Sequence, residues 1–303
     1  MAAAPGPAPV ANADLPVVRA RPGRWWRVLQ FPVTRLLLAG AAVMAWTSAL
    51  QRAATAIGIE YGSAPGLAFG VLLCASVLAL YASFVRLVEG RAVVELSPAG
   101  AARRFGAGAL AGGALFAGTM LVLWLAGAWR LTGHAAGPRV VLAQLVAALV
   151  AGCVEEVLLR GVLFRIVEES LGSWLALALS ALVFGLMHAF NPGAGVVSTL
   201  AIALEAGVLL AAAYMLSRRL WTVIGLHAAW NFTEGGVFGA SVSGYASPGL
   251  LAGRFRGGDV LTGGVFGPEA SLVAVLLCLG AGVALALLAR RRGLVVRPRW
   301  RRA

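Results

Sequence analysis

Eight stretches of this chain are apolar for long enough to cross a bilayer, and that pattern limits the fold more than any other feature. A spanning helix needs about 20 predominantly apolar residues. The candidates run roughly 33–50, 67–88, 105–129, 139–164, 172–190, 194–216, 220–238 and 270–289. In the hydrocarbon layer every backbone N–H and C=O must find its partner within the protein, which a helix achieves alone. The expected fold is therefore all-α, a polytopic integral membrane protein of about eight transmembrane helices. Composition agrees, with 60% hydrophobic and 12% charged residues in 303 and a mean hydropathy of +0.86. A water-soluble enzyme is excluded.

The 25 basic residues, all arginine, outnumber 12 acids to give a formal charge of +13. Their position at the ends of apolar runs speaks for membrane orientation and against a nucleic-acid partner. If eight spans alternate, only Arg52, Arg130, Arg139, Arg254 and Arg256 fall on one side and the other twenty on the opposite side. Excess basic residues mark the cytoplasmic face, so both termini are expected in the cytoplasm and the protein in the cell (cytoplasmic) membrane, its partner the lipid bilayer. Residues 1–30 read as a flexible basic N-terminal tail, because the first 24 are rich in Ala and Pro and lack the apolar core of a signal peptide. Residues 31–290 form the membrane domain and 291–303 a basic C-terminal tail. The loop 235–269 is Gly-rich and extracytoplasmic in this arrangement, a cap or merely slack. Cys74, Cys153 and Cys278 stand singly in apolar segments, which gives no disulfide framework and no thiolate metal site.

An ionisable side chain at mid-bilayer is costly, so acids and histidines within spans are functional candidates. The fourth span carries Glu155 and Glu156, with Arg160 four residues beyond the second. Glu156 and Arg160 share a helical face and can pair, while Glu155 points about 100° away. The fifth span holds Phe184-x3-His188, and the turn of this helical hairpin falls near Leu171-Gly172. Glu155 and His188 each lie 16 residues from it, so at 1.5 Å per residue both climb about 24 Å and reach similar depth. The seventh span places His227 and Asn231 at i and i+4 on one face; the bland alternative is an interhelical hydrogen bond. Glu205, midway along the sixth span, has no charged neighbour within four residues and fits a protonated packing residue, a partner for a histidine or a proton relay.

Two histidines, a free carboxylate, a paired carboxylate and an amide can activate water against a carbonyl. Glu155 would take the proton, and His188, His227 or Asn231 would orient the water or donate to the oxyanion. A divalent metal such as zinc on His188, His227 and Glu155 is the other route, although no HExxH helix is present. A GxSxG nucleophile motif is also absent, and Cys153 reads as packing.

Glu155-Glu156-x3-Arg160, Phe184-x3-His188 and His227-x3-Asn231, in this order on successive spans, resemble the three motifs of the CPBP intramembrane proteases (CAAX protease and bacteriocin-processing enzymes). Tyr214-Met-Leu-Ser-Arg-Arg-Leu-Trp221 leading into Gly225-Leu-His227, and Glu89-Gly-Arg91-x3-Glu95-Leu96, add to the likeness. The catalytic core would then span about 140–235. The resemblance implies that Glu155 is the catalytic acid/base with His188 as its partner on water or metal, that Glu156 and Arg160 support the site, and that His227 and Asn231 stabilise the oxyanion or bind metal. It implies a protein or peptide substrate. Some relatives cleave prenylated CAAX tails and many bacterial ones are linked to bacteriocin processing or self-immunity; the Ala, Gly and Arg bias without lysine looks like GC-rich bacterial coding, which disfavours a prenylated substrate. Two other classes compete: a non-catalytic membrane immunity or scaffold protein, and a proton-coupled transporter using Glu155 or Glu205. No repeat or pair of interrupted spans favours the transporter.

Overall fold

The computed structural model describes residues 23–134 and 136–301; residues 1–22 of the expected N-terminal tail lie outside them. Among the described residues six helices are long and apolar enough to cross a membrane: Pro32–Ala56 (α1), Ala64–Glu89 (α2), Ala101–Leu125 (α3), Pro138–Met187, Val196–Ser217 (α6) and Leu272–Arg291 (α8). The fourth is continuous only in outline. It consists of Pro138–Glu156 (α4), a π-helical stretch Val157–Phe164, and Arg165–Met187 (α5), within which Gly172 breaks the helix at φ +79° and ψ 169°. Only glycine adopts that conformation freely, so the expected hairpin turns where the sequence placed it. Leu220–Asn231 (α7) continues through a π-helical turn, Phe232–Val237, and occupies the seventh expected span. The chain has an all-α, multi-pass membrane architecture.

Helix starts follow local chemistry. Pro32 and Pro138 open α1 and α4, where a missing N–H costs nothing, and the hydroxyls of Ser63 and Ser271 cap α2 and α8. One departure from pure helix is a small antiparallel ribbon, Trp129–His134 (β1) with Leu251–Phe255 (β2). It ties the connection before α4 to the Gly-rich loop, so that loop is anchored to the body rather than slack.

α7 lies at the centre, packed on α3 and α4. Its approach to α3 is backbone to backbone: a Cβ added at Gly108 would sit 2.0 Å from the Thr222 carbonyl oxygen, one at Gly112 2.1 Å from that of Leu226, and one at Gly225 2.2 Å from that of Phe105. This is the small-residue packing on which membrane helices depend where burial from water offers no force. Gly112→Val should force α3 away from α7 at a cost of about 1–3 kcal/mol or more, read as a lower Tm in detergent. Because Leu226 adjoins His227, any catalytic activity should fall with it.

Near the α1, α2 and α5 ends an ion network holds the helices together. Glu89 receives Arg35, Arg91 and Arg165, while Arg91 and Arg165 also reach Glu95 and Arg165 reaches Glu169. The C-terminal segment docks on the α4–α5 turn: Ser173 N donates to the Val296 carbonyl at 3.0 Å, Val296 N to the Ser173 hydroxyl at 2.8 Å, and Arg299 Nε to the Glu169 carbonyl at 3.1 Å. Cys74 and Cys153, which sequence left as isolated residues, face each other across α2 and α4. The Cys153 thiol points to the Cys74 carbonyl at 3.8 Å and the Cys74 thiol to that of Leu149 at 3.7 Å.

Candidate active site

Phe184 is the hub at which the three sequence motifs meet. Its ring centroid lies 4.8 Å from that of His188 and 5.8 Å from that of His227, and the Arg160 guanidinium sits 5.0 Å from it. A residue from each of three helical segments thus packs around one aromatic ring, with Phe184 fully enclosed. Four residues later on the same helix, His188 terminates α5 as its C-cap.

Both imidazoles are fixed through Nδ1. His188 Nδ1 lies 2.8 Å from the Phe184 carbonyl oxygen; a carbonyl only accepts, so Nδ1 carries the hydrogen and Nε2 is left for the site. His227 Nδ1 lies 2.9 Å from Glu156 Oε1. That same oxygen accepts Arg160 Nη1 at 2.9 Å, and Arg160 Nη2 continues to the Gly207 carbonyl oxygen at 3.1 Å. The i, i+4 pair expected from sequence is therefore present with both side chains fully buried, and it extends to a third partner, His227. Carboxylate contact at one imidazole nitrogen sets its tautomer and orients the ring.

His188, His227 and Asn231 line one narrow cleft. Its free volume, about 20 Å³, has room for a water molecule. Glu155 does not line this cleft. It stands beside Glu156 at the end of α4, close enough to His227 and Arg160 to act on both electrostatically, and its Oε2 is buried without a hydrogen-bond partner. The three residues that sequence offered as metal ligands, His188, His227 and Glu155, form no set arranged for an ion: among the described residues no group of three His, Cys, Asp or Glu side chains could hold one.

The cleft also has walls that the motifs did not include. Glu205 lines it from α6, and Ser243 and Glu269 line it from the Gly-rich loop. That loop is seated on the segment after His188. Asn191 Nδ2 donates to the Ser243 carbonyl at 2.9 Å, and Gly244, at φ +86°, presses so closely that a Cβ there would lie 2.0 Å from the Pro192 carbonyl oxygen. The loop is a cap over the cleft. Glu234, buried one turn beyond Asn231, was within an expected span and could have been found by the same rule that picked out Glu205. Glu269 carries no such signal, because it precedes the last apolar run.

Residues 137–233 match the family model described as Type II CAAX prenyl endopeptidase Rce1-like. The match covers the helices that carry all three motifs and bears out the resemblance drawn from them. The chain is thus a multi-pass membrane protein whose residues 137–233 are similar to the Rce1-like CAAX endopeptidases. Comparison with curated proteins and with solved structures gave no match.

Proposed function

We propose that the protein is an endopeptidase that hydrolyses a peptide bond at or within the membrane, using water activated by Glu155 and His188. The observation that carries this reading is the meeting of His188, His227 and Asn231 in one water-sized cleft, with both rings locked through Nδ1. His188 offers Nε2 to the water, and Glu155, which stands outside the cleft lining with Oε2 unpartnered, turns toward the cleft when substrate binds, accepts the proton and returns it to the leaving amine. His227, donating from Nδ1 to Glu156, can carry a second proton on Nε2; the Glu156 carboxylate stabilises that imidazolium as the buried acid does in a Ser-His-Asp triad. Its Nε2–H and the Asn231 amide then face the oxyanion. No step uses a metal ion. Substrates are membrane-associated proteins or peptides, and the membrane is the cytoplasmic one, as the arginine distribution supports.

The purified protein, reconstituted in lipid, should cleave members of a peptide and membrane-protein library, and His188→Ala should lower kcat/KM by about 10²–10⁴-fold. Equal cleavage by wild type and variant overturns the site. Chelation should leave the wild-type rate unchanged. Loss on chelation with recovery on zinc would instead bring a metal into the reaction.

A further inference from the structure

The cleft is closed to any peptide chain. Its free volume of about 20 Å³ holds the water that His188 would activate and nothing more, whereas sites that take up a substrate-sized molecule measure about 300–1,000 Å³. A peptide reaches His188 and Asn231 only if a wall moves. The helical walls are packed backbone to backbone. A Cβ added at Gly185 of α5 would lie 2.4 Å from the Thr199 carbonyl oxygen of α6, one at Gly207 of α6 2.8 Å from Ala181 Cα, and one at Gly282 of α8 3.1 Å from Leu209 Cα. Helices in such contact do not part without unpacking the bundle.

The wall formed by residues 239–249 is built differently. Its two ends touch, since a Cβ on Gly249 would sit 2.5 Å from the Gly239 nitrogen. A stretch closed on itself in this way is a compact surface loop of a kind that is frequently functional. Ser243, near its tip, lines the cleft. Three latches hold the tip down: Asn191 Nδ2 donates to the Ser243 carbonyl at 2.9 Å, Gly244 N donates to the Phe266 carbonyl at 2.7 Å, and Ser243 hydrogen-bonds the Glu269 carboxyl. Beyond them Tyr245, Ala246 and Pro248 are exposed. Ser243 holds φ +48°, and among the described residues Arg218 alone shares a positive φ without being glycine. That conformation strains a residue with a side chain and collects in clamps and switch segments.

We infer that residues 240–248 are a lid. The lid pivots on Gly239 and Gly249, breaks its hydrogen bonds to Asn191, Phe266 and Glu269, and lifts Ser243 out of the cleft to admit the peptide. Water replaces the partners lost at an exposed tip, so the net cost of lifting is small, and the Ser243 backbone is free to leave its strained conformation. The inference rests on the proteolytic reading and deepens it by naming how the site is gated.

The test uses the full chain in lipid and first reads access to the cleft without turnover. Diethyl pyrocarbonate acylates imidazole and is larger than water, so it reaches His188 only past the lid, while His134 on the exposed ribbon is the internal reference. Asn191→Ala removes one latch and should raise the rate at His188 relative to His134 by about 2–10-fold, the factor one such hydrogen bond contributes. Asn191→Cys combined with Tyr245→Cys, joined by a short bifunctional methanethiosulfonate, should block reaction at His188 until the link is reduced. The two single-cysteine variants, treated alike, should stay reactive. Peptide cleavage should follow the same pattern: KM falls by the same factor in Asn191→Ala, because a larger open fraction is competent to bind, and the joined protein cleaves only after reduction. Equal acylation of His188 in all forms, or undiminished cleavage by the joined protein, overturns the lid while the protease stands. Protection of His188 in the joined protein, with no peptide cleaved by any form, keeps the lid and overturns the proteolytic reading.

Discussion

Glu155→Gln should reduce kcat/KM by about 10²–10⁴-fold, the usual loss when a general base is removed, with little change in Tm. The asymmetry follows from what each member of the acid doublet touches. Glu155 is only part-buried and its Oε2 meets no donor, so no native hydrogen bond at that oxygen is broken when the charge is removed. An amide occupies nearly the same volume, which leaves the packing at the end of α4 intact. What disappears is the ability to accept a proton. A peptide-cleavage assay beside a thermal-unfolding trace checks both halves. Undiminished cleavage would remove Glu155 from the reaction; a collapsed Tm with lost cleavage would make it a structural residue.

The spans and the hairpin were legible because hydropathy and one glycine determine them. Apolar runs of bilayer length locate the helices, and Gly172 takes a backbone conformation that other residues resist. The motif pairs were legible because i and i+4 share a helical face; Glu156 and Arg160 meet as that spacing requires. Contacts between helices were not. Nothing in the spacing of Glu156 shows that His227, 71 residues away, bonds the same oxygen that Arg160 does. The glycines at 108, 112 and 225 were visible as letters, but their value lies in the carbonyl opposite each.

A second blind spot is helical irregularity. Among the described residues four π-helical stretches interrupt the spans, Val85–Glu89, Val157–Phe164, Ala203–Gly207 and Phe232–Val237. Each contains a buried ionisable residue: Glu89, Arg160, Glu205 and Glu234 respectively. A widened turn shifts the register of side chains after it by roughly one residue, which a reading at uniform 3.6 periodicity does not capture. Glu234 illustrates the consequence, because it turns toward Glu269 on a segment beyond the matched family region. The loop that supplies Ser243 and Glu269 escaped for a different reason: its Gly-rich sequence has no period at all, and only the ribbon and the contacts at Asn191 and Pro192 seat it on the cleft.

Arg160→Met should be the most destabilising single change among the motif residues, by about 3–5 kcal/mol. The guanidinium is completely enclosed, holds Glu156 Oε1, reaches the Gly207 carbonyl and lies against Phe184. Its removal leaves a carboxylate in a low-dielectric site with His227 as its remaining partner, and Glu156 Oε2 already lacks a donor. Breaking a buried pair strands a charge, whereas replacing both partners by apolar residues of similar volume removes the charge and the debt together. Glu156→Leu combined with Arg160→Met should therefore recover much of the Tm lost by Arg160→Met alone. Activity should not recover with it. Without the carboxylate His227 loses the acceptor that orients its ring and stabilises its imidazolium, so the double variant should fold and yet cleave slowly, with the defect in kcat rather than KM. Thermal unfolding and steady-state kinetics on the four members of this cycle measure the two effects separately. A double variant as unstable as Arg160→Met would mean that the guanidinium acts through Phe184 and the Gly207 carbonyl instead of through Glu156. A stable double variant with full activity would show that His227 needs no carboxylate behind it.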